Sequence, residues 1–178
     1  SISAFEKAQA ELNLKAKVKI VEPFFEDERY NEVVADDIEK AASNLNSGEI
    51  TLVFSAHSLP QKIIDAGDIY EEHVKRHVQI LSKILEERGL KFKEILLAYQ
   101  SRLGPVKWLE PSLNQALENL KDKKALVYPI SFCIDNSETV FELAKEFKHI
   151  ADGLNFEFYD VVACPNDGEK FARFIANK

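Results

Sequence analysis

The chain has 178 residues, 46% of them hydrophobic, and carries 30 acidic against 23 basic residues for a formal net charge of -7. Such a length suits one compact domain burying roughly 70% of its unfolded surface, and the acidic balance argues against nucleic acid and anionic membrane surfaces, which want basic stripes. Cys133 and Cys164 alone cannot build a disulfide framework or a four-cysteine metal site and read as reduced thiols in a cytoplasm.

Residues 1–13 form an amphipathic start without the apolar region of a signal peptide. With no methionine in the sequence, Ser1 does not read as a translation start, and a longer parent protein is expected. Residues 18–21 predict a first strand and residues 30–45 a helix. Gly48 turns the chain into a second strand, residues 50–54. A helix over residues 69–88 carries the apolar stripe Val74, Val78, Leu81 and Leu85, with Gly89 as its stop. Strands follow at 95–99, 126–130 and 156–162, alternating with helices at 111–121, 137–151 and 168–177. Strands spaced by helices predict an α/β fold with right-handed crossovers and a mostly parallel sheet of four or five strands. No apolar run approaches the ~20 residues of a membrane span.

Open parallel sheets bind ligands beyond the carboxyl ends of their strands. Three ends here carry polar clusters: Ser55-Ala56-His57-Ser58, Gln100-Ser101-Arg102-Leu103-Gly104-Pro105 and Asp135-Asn136-Ser137-Glu138. His57 is either a hydrogen-bonded structural residue or a group at a cleft mouth, and Pro60 turns the chain away from the sheet. Glu138, Glu142 and Glu146 recur at i, i+4 and i+8, a row that drifts about 80° around an α-helix. That row is a solvated face or, with His57, a path and site for ferrous iron or zinc; like charges four apart disfavour a helix. Asp135-x-x-Glu138 also reads as an Asp variant of the capping box. His73 and His77 lack the His-Glu-x-x-His pattern and read as surface or boundary residues. Cys133 reads as a buried thiol rather than a ligand, and His149 as a partner of a helix dipole. A serine hydrolase would need a Gly-x-Ser-x-Gly elbow and a nucleotide-binding module a glycine-rich loop, and the sequence has neither.

The strings VFSAHSLP, YQSRLGPVKWLEPS and YPISFCIDNSETVFEL resemble the carboxyl-terminal half of ferrochelatase, the family that inserts ferrous iron into protoporphyrin IX. Ala66-Gly67-Asp68-Ile69-Tyr70 is similar to the family's Gly-Asp-Pro-Tyr, and Cys164-Pro165-Asn166-Asp167 resembles its closing Leu-Asn-Asp segment. The resemblance runs in order from about Pro23 to the end. It implies a chelatase-like three-layer α/β/α domain spanning residues 1–178, the second of two similar domains. It places the catalytic pair on His57 and Glu138, as iron ligands or as bases for the pyrrole protons, with Ser55 and Asp135 supporting them from behind. It places Glu142 and Glu146 on a distorted helix that delivers metal. Ser101 and Arg102 fall where the family contacts a porphyrin propionate, and Trp108 falls beside the macrocycle; the residue types alone allow Arg102 a surface ion pair and Trp108 a core role.

Asn136 stands where family members often have histidine, so a second-histidine role is absent. Iron is implied as substrate, with no prosthetic group and no iron–sulfur cluster. The expected partners are protoporphyrin IX, ferrous iron and an amino-terminal domain that supplies the other cleft wall, and the expected location is the cytoplasm. Without that wall the chain is expected to be inactive and to expose Leu59, Leu103, Trp108 and Phe132. Two other readings stay open: another tetrapyrrole chelatase, of the sirohydrochlorin or cobalt type, and a non-catalytic interaction domain.

Overall fold

The computed structural model describes residues 2–178. Helix α1 (Ile2–Glu11) buries none of its residues. The strand expected at residues 18–21 does not form: Val18, Ile20 and Val21 are exposed and outside the sheet. A strand needs a neighbour for its backbone groups, and these apolar residues alternate with Lys17, Lys19 and Glu22 without one. The ordered core begins at α2 (Glu28–Ala42), whose N-cap Asp27 accepts the Arg29 N–H at 3.0 Å.

The sheet comprises β1 (Thr51–His57), β2 (Glu94–Gln100), β3 (Lys124–Tyr128) and β4 (Phe158–Val161), in the order β2-β1-β3-β4. All three pairings are parallel, so four strands and not five make the sheet. Between β1 and β2 run α3 (Gln61–Asp65) and α4 (Tyr70–Glu87); α5 (Leu113–Asn119) joins β2 to β3. Past β3, a π-helix (Ser137–Phe147) runs directly into α6 (Lys148–Gly153), and α7 (Glu169–Ala176) ends the chain. Gly89, at φ 81°, stops α4 in the left-handed region, and the Leu90 N–H closes onto the Leu85 carbonyl at 2.9 Å.

Successive strand residues face opposite sides of a sheet, and the core divides accordingly. Leu52, Phe54, Leu126 and Tyr128 pack with α2, α4 and α7, whereas Val53, Ala98, Ala125 and Val127 pack with α5 and the π-helix. The result is a three-layer α/β/α sandwich. The connection leaving β1 passes over one face and that leaving β3 over the other, so the adjacent carboxyl ends of β1 and β3 form a topological switch point, the place where open α/β sheets bind ligands. Among the described residues no helix is long and apolar enough to cross a membrane.

His77 corrects the surface reading. It is 4% exposed, inside the α2–α4 contact, with Nε2 2.8 Å from Asn31 Oδ1. Burial lowers its pKa to about 4, so the folded protein keeps it neutral while the unfolded chain protonates near ~6.5. The folded value is depressed, so its contribution is complete above about pH 6.5 and is lost as pH falls toward 4, by up to ~3 kcal/mol. Urea unfolding between pH 7 and 4.5 is expected to show a smaller acid loss for His77→Gln than for the parent.

Candidate active site at the switch point

His57 is the last residue of β1 and its first partly exposed one, after six buried residues. Its Nδ1 lies 2.7 Å from Glu138 Oε2, and both side chains are about one-third exposed, at 38% and 35%. The two groups therefore meet beyond the carboxyl end of β1, as expected. A carboxylate only accepts, so the Nδ1 proton belongs to this contact, and in the neutral ring Nε2 is left with its lone pair. The Phe132 ring packs edge-on to the imidazole, centroids 6.4 Å apart.

The capping-box reading of Asp135 and Glu138 is corrected. Asn136 is the N-cap: its side chain accepts the Glu138 N–H at 2.8 Å, and Thr139 Oγ1 accepts the Asn136 N–H at 2.9 Å. Glu138 is thereby released from any capping work. Asp135 instead accepts Asn166 Nδ2 at 2.7 Å and the Cys164 N–H at 3.3 Å. Burial raises its carboxyl, and those bonds more than offset this, leaving it below the usual carboxylate range. Its support for the site consists of pinning the loop before the π-helix to residues 164–166.

The helix carrying the glutamates is π over 11 residues rather than α. In a helix bonded i→i+5 a residue four positions on falls just short of one turn, whereas in an α-helix it falls just past one. The row thus drifts in the opposite sense from the α expectation. Ser101 stands within it: its hydroxyl donates to Glu142 Oε2 at 2.5 Å and lies 3.0 Å from Glu138 Oε2, and its N–H donates to Glu142 Oε1 at 2.7 Å. A left-handed backbone, φ 62°, aims that N–H, a conformation non-glycine residues seldom adopt. Glu146 is exposed. Among the described residues no group of three or more His, Cys, Asp or Glu could hold a metal ion, so the expected ligand set His57, Glu138, Glu142 and Glu146 is not gathered into one cage; the Ser101 hydroxyl separates its middle pair.

Ser101 thus meets carboxylates of its own chain rather than standing free for a propionate. Arg102 folds back on its loop, donating to the Leu109 carbonyl and pairing with Glu110 Oε2 at 3.0 Å. A propionate would have to displace Glu110. Trp108 is half-buried, pairs as an isolated bridge with Pro60, and donates from Nε1 to the Gly104 carbonyl at 3.4 Å. Of the four apolar residues expected at the mouth, Leu103 is 86% exposed, while Leu59, Trp108 and Phe132 are half-buried. Ile134, Val140 and Phe141, which the sequence reading passed over, are exposed beside the glutamates.

Gln100 was also missed as an individual residue, although the YQSRLGP string contains it. It is 1% exposed at the end of β2. Ser55 Oγ donates to its Oε1 at 2.7 Å, which turns its amide nitrogen toward the π-helix, where it donates to the Glu138 carbonyl at 3.1 Å and Glu142 Oε2 at 3.2 Å. Ser55 is therefore linked to Glu138 and Glu142 through Gln100.

The family model for ferrochelatase matches residues 1–178. The chain belongs to the ferrochelatase family. The ferrochelatase of Campylobacter concisus (strain 13826) is 57% identical over 178 residues, all of this chain and 56% of that relative. The ferrochelatase of Campylobacter fetus subsp. fetus (strain 82-40) is 52% identical over 178 residues, 57% of its length. That of Wolinella succinogenes is 49% identical over 175 residues, covering 98% of this chain and 55% of the relative. The chain thus spans little more than half the length of these ferrochelatases. A solved multi-domain protein from Deinococcus radiodurans, described as structurally similar to chelatases, superposes with a TM-score of 0.50 at 16% identity over 82% of this chain and 28% of its own. At that identity the likeness speaks for the chelatase-like fold alone.

Proposed function

We propose that this chain is the carboxyl-terminal domain of a cytoplasmic ferrochelatase, bearing the metal-site half of a centre that inserts ferrous iron into protoporphyrin IX to give protohaem. Family membership supports the reaction class, and the contact between His57 Nδ1 and Glu138 Oε2, 2.7 Å at the switch point, carries the reading. Insertion exchanges two pyrrole protons for one dication. With Nδ1–H held by Glu138, His57 Nε2 presents a lone pair that accepts a pyrrole proton or donates to iron, and the carboxylate stabilises the imidazolium that proton transfer creates. Glu142 and Glu146 extend negative charge outward along the helix, drawing in a cation. Iron is substrate here, and no prosthetic group is part of the proposal.

The opposing cleft wall belongs, on this reading, to an amino-terminal domain that the longer relatives carry, and the chain by itself is expected to turn over little porphyrin. The test is anaerobic metallation by the full-length protein containing this chain, with protoporphyrin IX and sirohydrochlorin compared. Consumption of protoporphyrin with ferrous iron is the expected result. Preference for sirohydrochlorin would move the protein to another chelatase type, and inertness toward both would leave it an interaction domain.

A further inference from the structure

The β1–β3 ladder ends at Phe54 opposite Tyr128, with one more bond from the Ile130 N–H to the Ser55 carbonyl at 3.0 Å. Beyond that point β3 has turned away, and the backbone N–H and C=O of His57 on that side have no strand to pair with. Two side chains take its place. The His57 N–H donates to Ser131 Oγ at 3.1 Å, and the Tyr70 hydroxyl donates to the His57 carbonyl at 2.8 Å.

The two hydroxyls lie 2.6 Å apart. Tyr70 has one hydroxyl proton, committed to the carbonyl, so between the hydroxyls Ser131 is the donor. The bonds then run His57 N–H to Ser131, Ser131 O–H to Tyr70, and Tyr70 O–H to the His57 carbonyl. This ring satisfies both main-chain groups of the site histidine with every proton accounted for.

We propose that Tyr70 and Ser131 are positioning residues for His57, a two-hydroxyl clamp that fixes the histidine backbone where the sheet no longer holds it and so aims the imidazole at Glu138. The proposal rests on the assignment of His57 to the reacting centre. The bonds of both residues to His57 go to its main chain, and both act through it. Tyr70 reaches the clamp from the start of α4 and Ser131 from the loop after β3, so the clamp also ties together the two connections that flank the switch point. A misdirected imidazole would lose its contact with Glu138 without any loss of core packing, because the Tyr70 ring and the sheet stay in place.

Two measurements test it, one independent of activity. In the 178-residue chain, hydrogen exchange of the His57 amide is expected to quicken roughly tenfold in Tyr70→Phe and in Ser131→Ala, the equivalent of about one hydrogen bond, while the Leu52 amide keeps its rate. The downfield Nδ1–H resonance of His57, the signature of its bond to Glu138, broadens or disappears in both variants, and Ser131→Thr restores it. In the full-length protein, kcat for metal insertion falls about tenfold in Tyr70→Phe at unchanged metal KM. Wild-type His57 amide protection and Nδ1–H signal in Tyr70→Phe would overturn the clamp. Failure of the wild-type full-length protein to metallate any porphyrin would instead overturn the functional reading, and the exchange rates would still decide the clamp.

Discussion

Glu138→Gln is expected to reduce iron insertion by the full-length protein by at least about 100-fold, the span of a lost acid–base group, with little change in melting temperature. The structural jobs near this residue belong to others: Asn136 and Thr139 cap the π-helix, and Gln100 holds the Glu138 carbonyl at 3.1 Å. Glutamine keeps the shape and can still accept the His57 Nδ1–H, so folding has no reason to suffer. What disappears is the negative charge that stabilises an imidazolium or a bound dication. Glu146→Gln supplies the comparison, since that exposed side chain lies two four-residue steps further along the helix. Its expected effect is a higher metal KM with kcat retained. Full kcat in Glu138→Gln, measured by loss of protoporphyrin fluorescence, would remove Glu138 from the chemistry.

Gln100→Leu has the larger expected effect on the fold. Leucine fills a similar volume in a fully buried position but makes none of the side-chain bonds to Ser55 Oγ, Ser101 Oγ, the Glu138 carbonyl and Glu142 Oε2. Ser55 is itself 0% exposed, and an orphaned buried polar group costs about 1–3 kcal/mol. A destabilisation of roughly 1–3 kcal/mol follows from the orphaned Ser55 hydroxyl, read from the urea midpoint. Gln100→Glu separates packing from bonding, because it keeps the size while placing a third carboxylate beside Glu138 and Glu142. It is expected to be at least as damaging at neutral pH and to recover partly as pH falls and the carboxylates protonate.

The layer order was legible because short continuous apolar runs such as Leu52 to Phe54 and the helical stripe Val74, Val78, Leu81 and Leu85 are local patterns imposed by burial. Residues 18–21 misled for the same reason: they carry a strand's composition, but pairing is a tertiary event that no local pattern records. His77 was misplaced because its buried partner, Asn31, lies 46 residues away in sequence. His57 and Glu138 could be named from motif strings, whereas the capping by Asn136 could not be separated from capping by Asp135 without backbone geometry. The π form of residues 137–147 left one trace, three glutamates spaced as an α-helix tolerates poorly. Gln100, Tyr70 and Ser131 lay within recognised strings but carried no chemistry of the kind that draws attention, and the place of Ser131 is defined only where β3 departs from β1.

The central claim is that the carboxyl ends of β1 and β3, with His57 and Glu138 between them, face the porphyrin. A crystal structure of the full-length protein with a bound porphyrin tests it most directly. A pyrrole nitrogen or the central metal is expected in contact with His57 Nε2, near the ~3.5 Å of a reactive approach, with the π-helix alongside. A porphyrin seated at the opposite edge of the sheet, with His57 open to solvent, would contradict it.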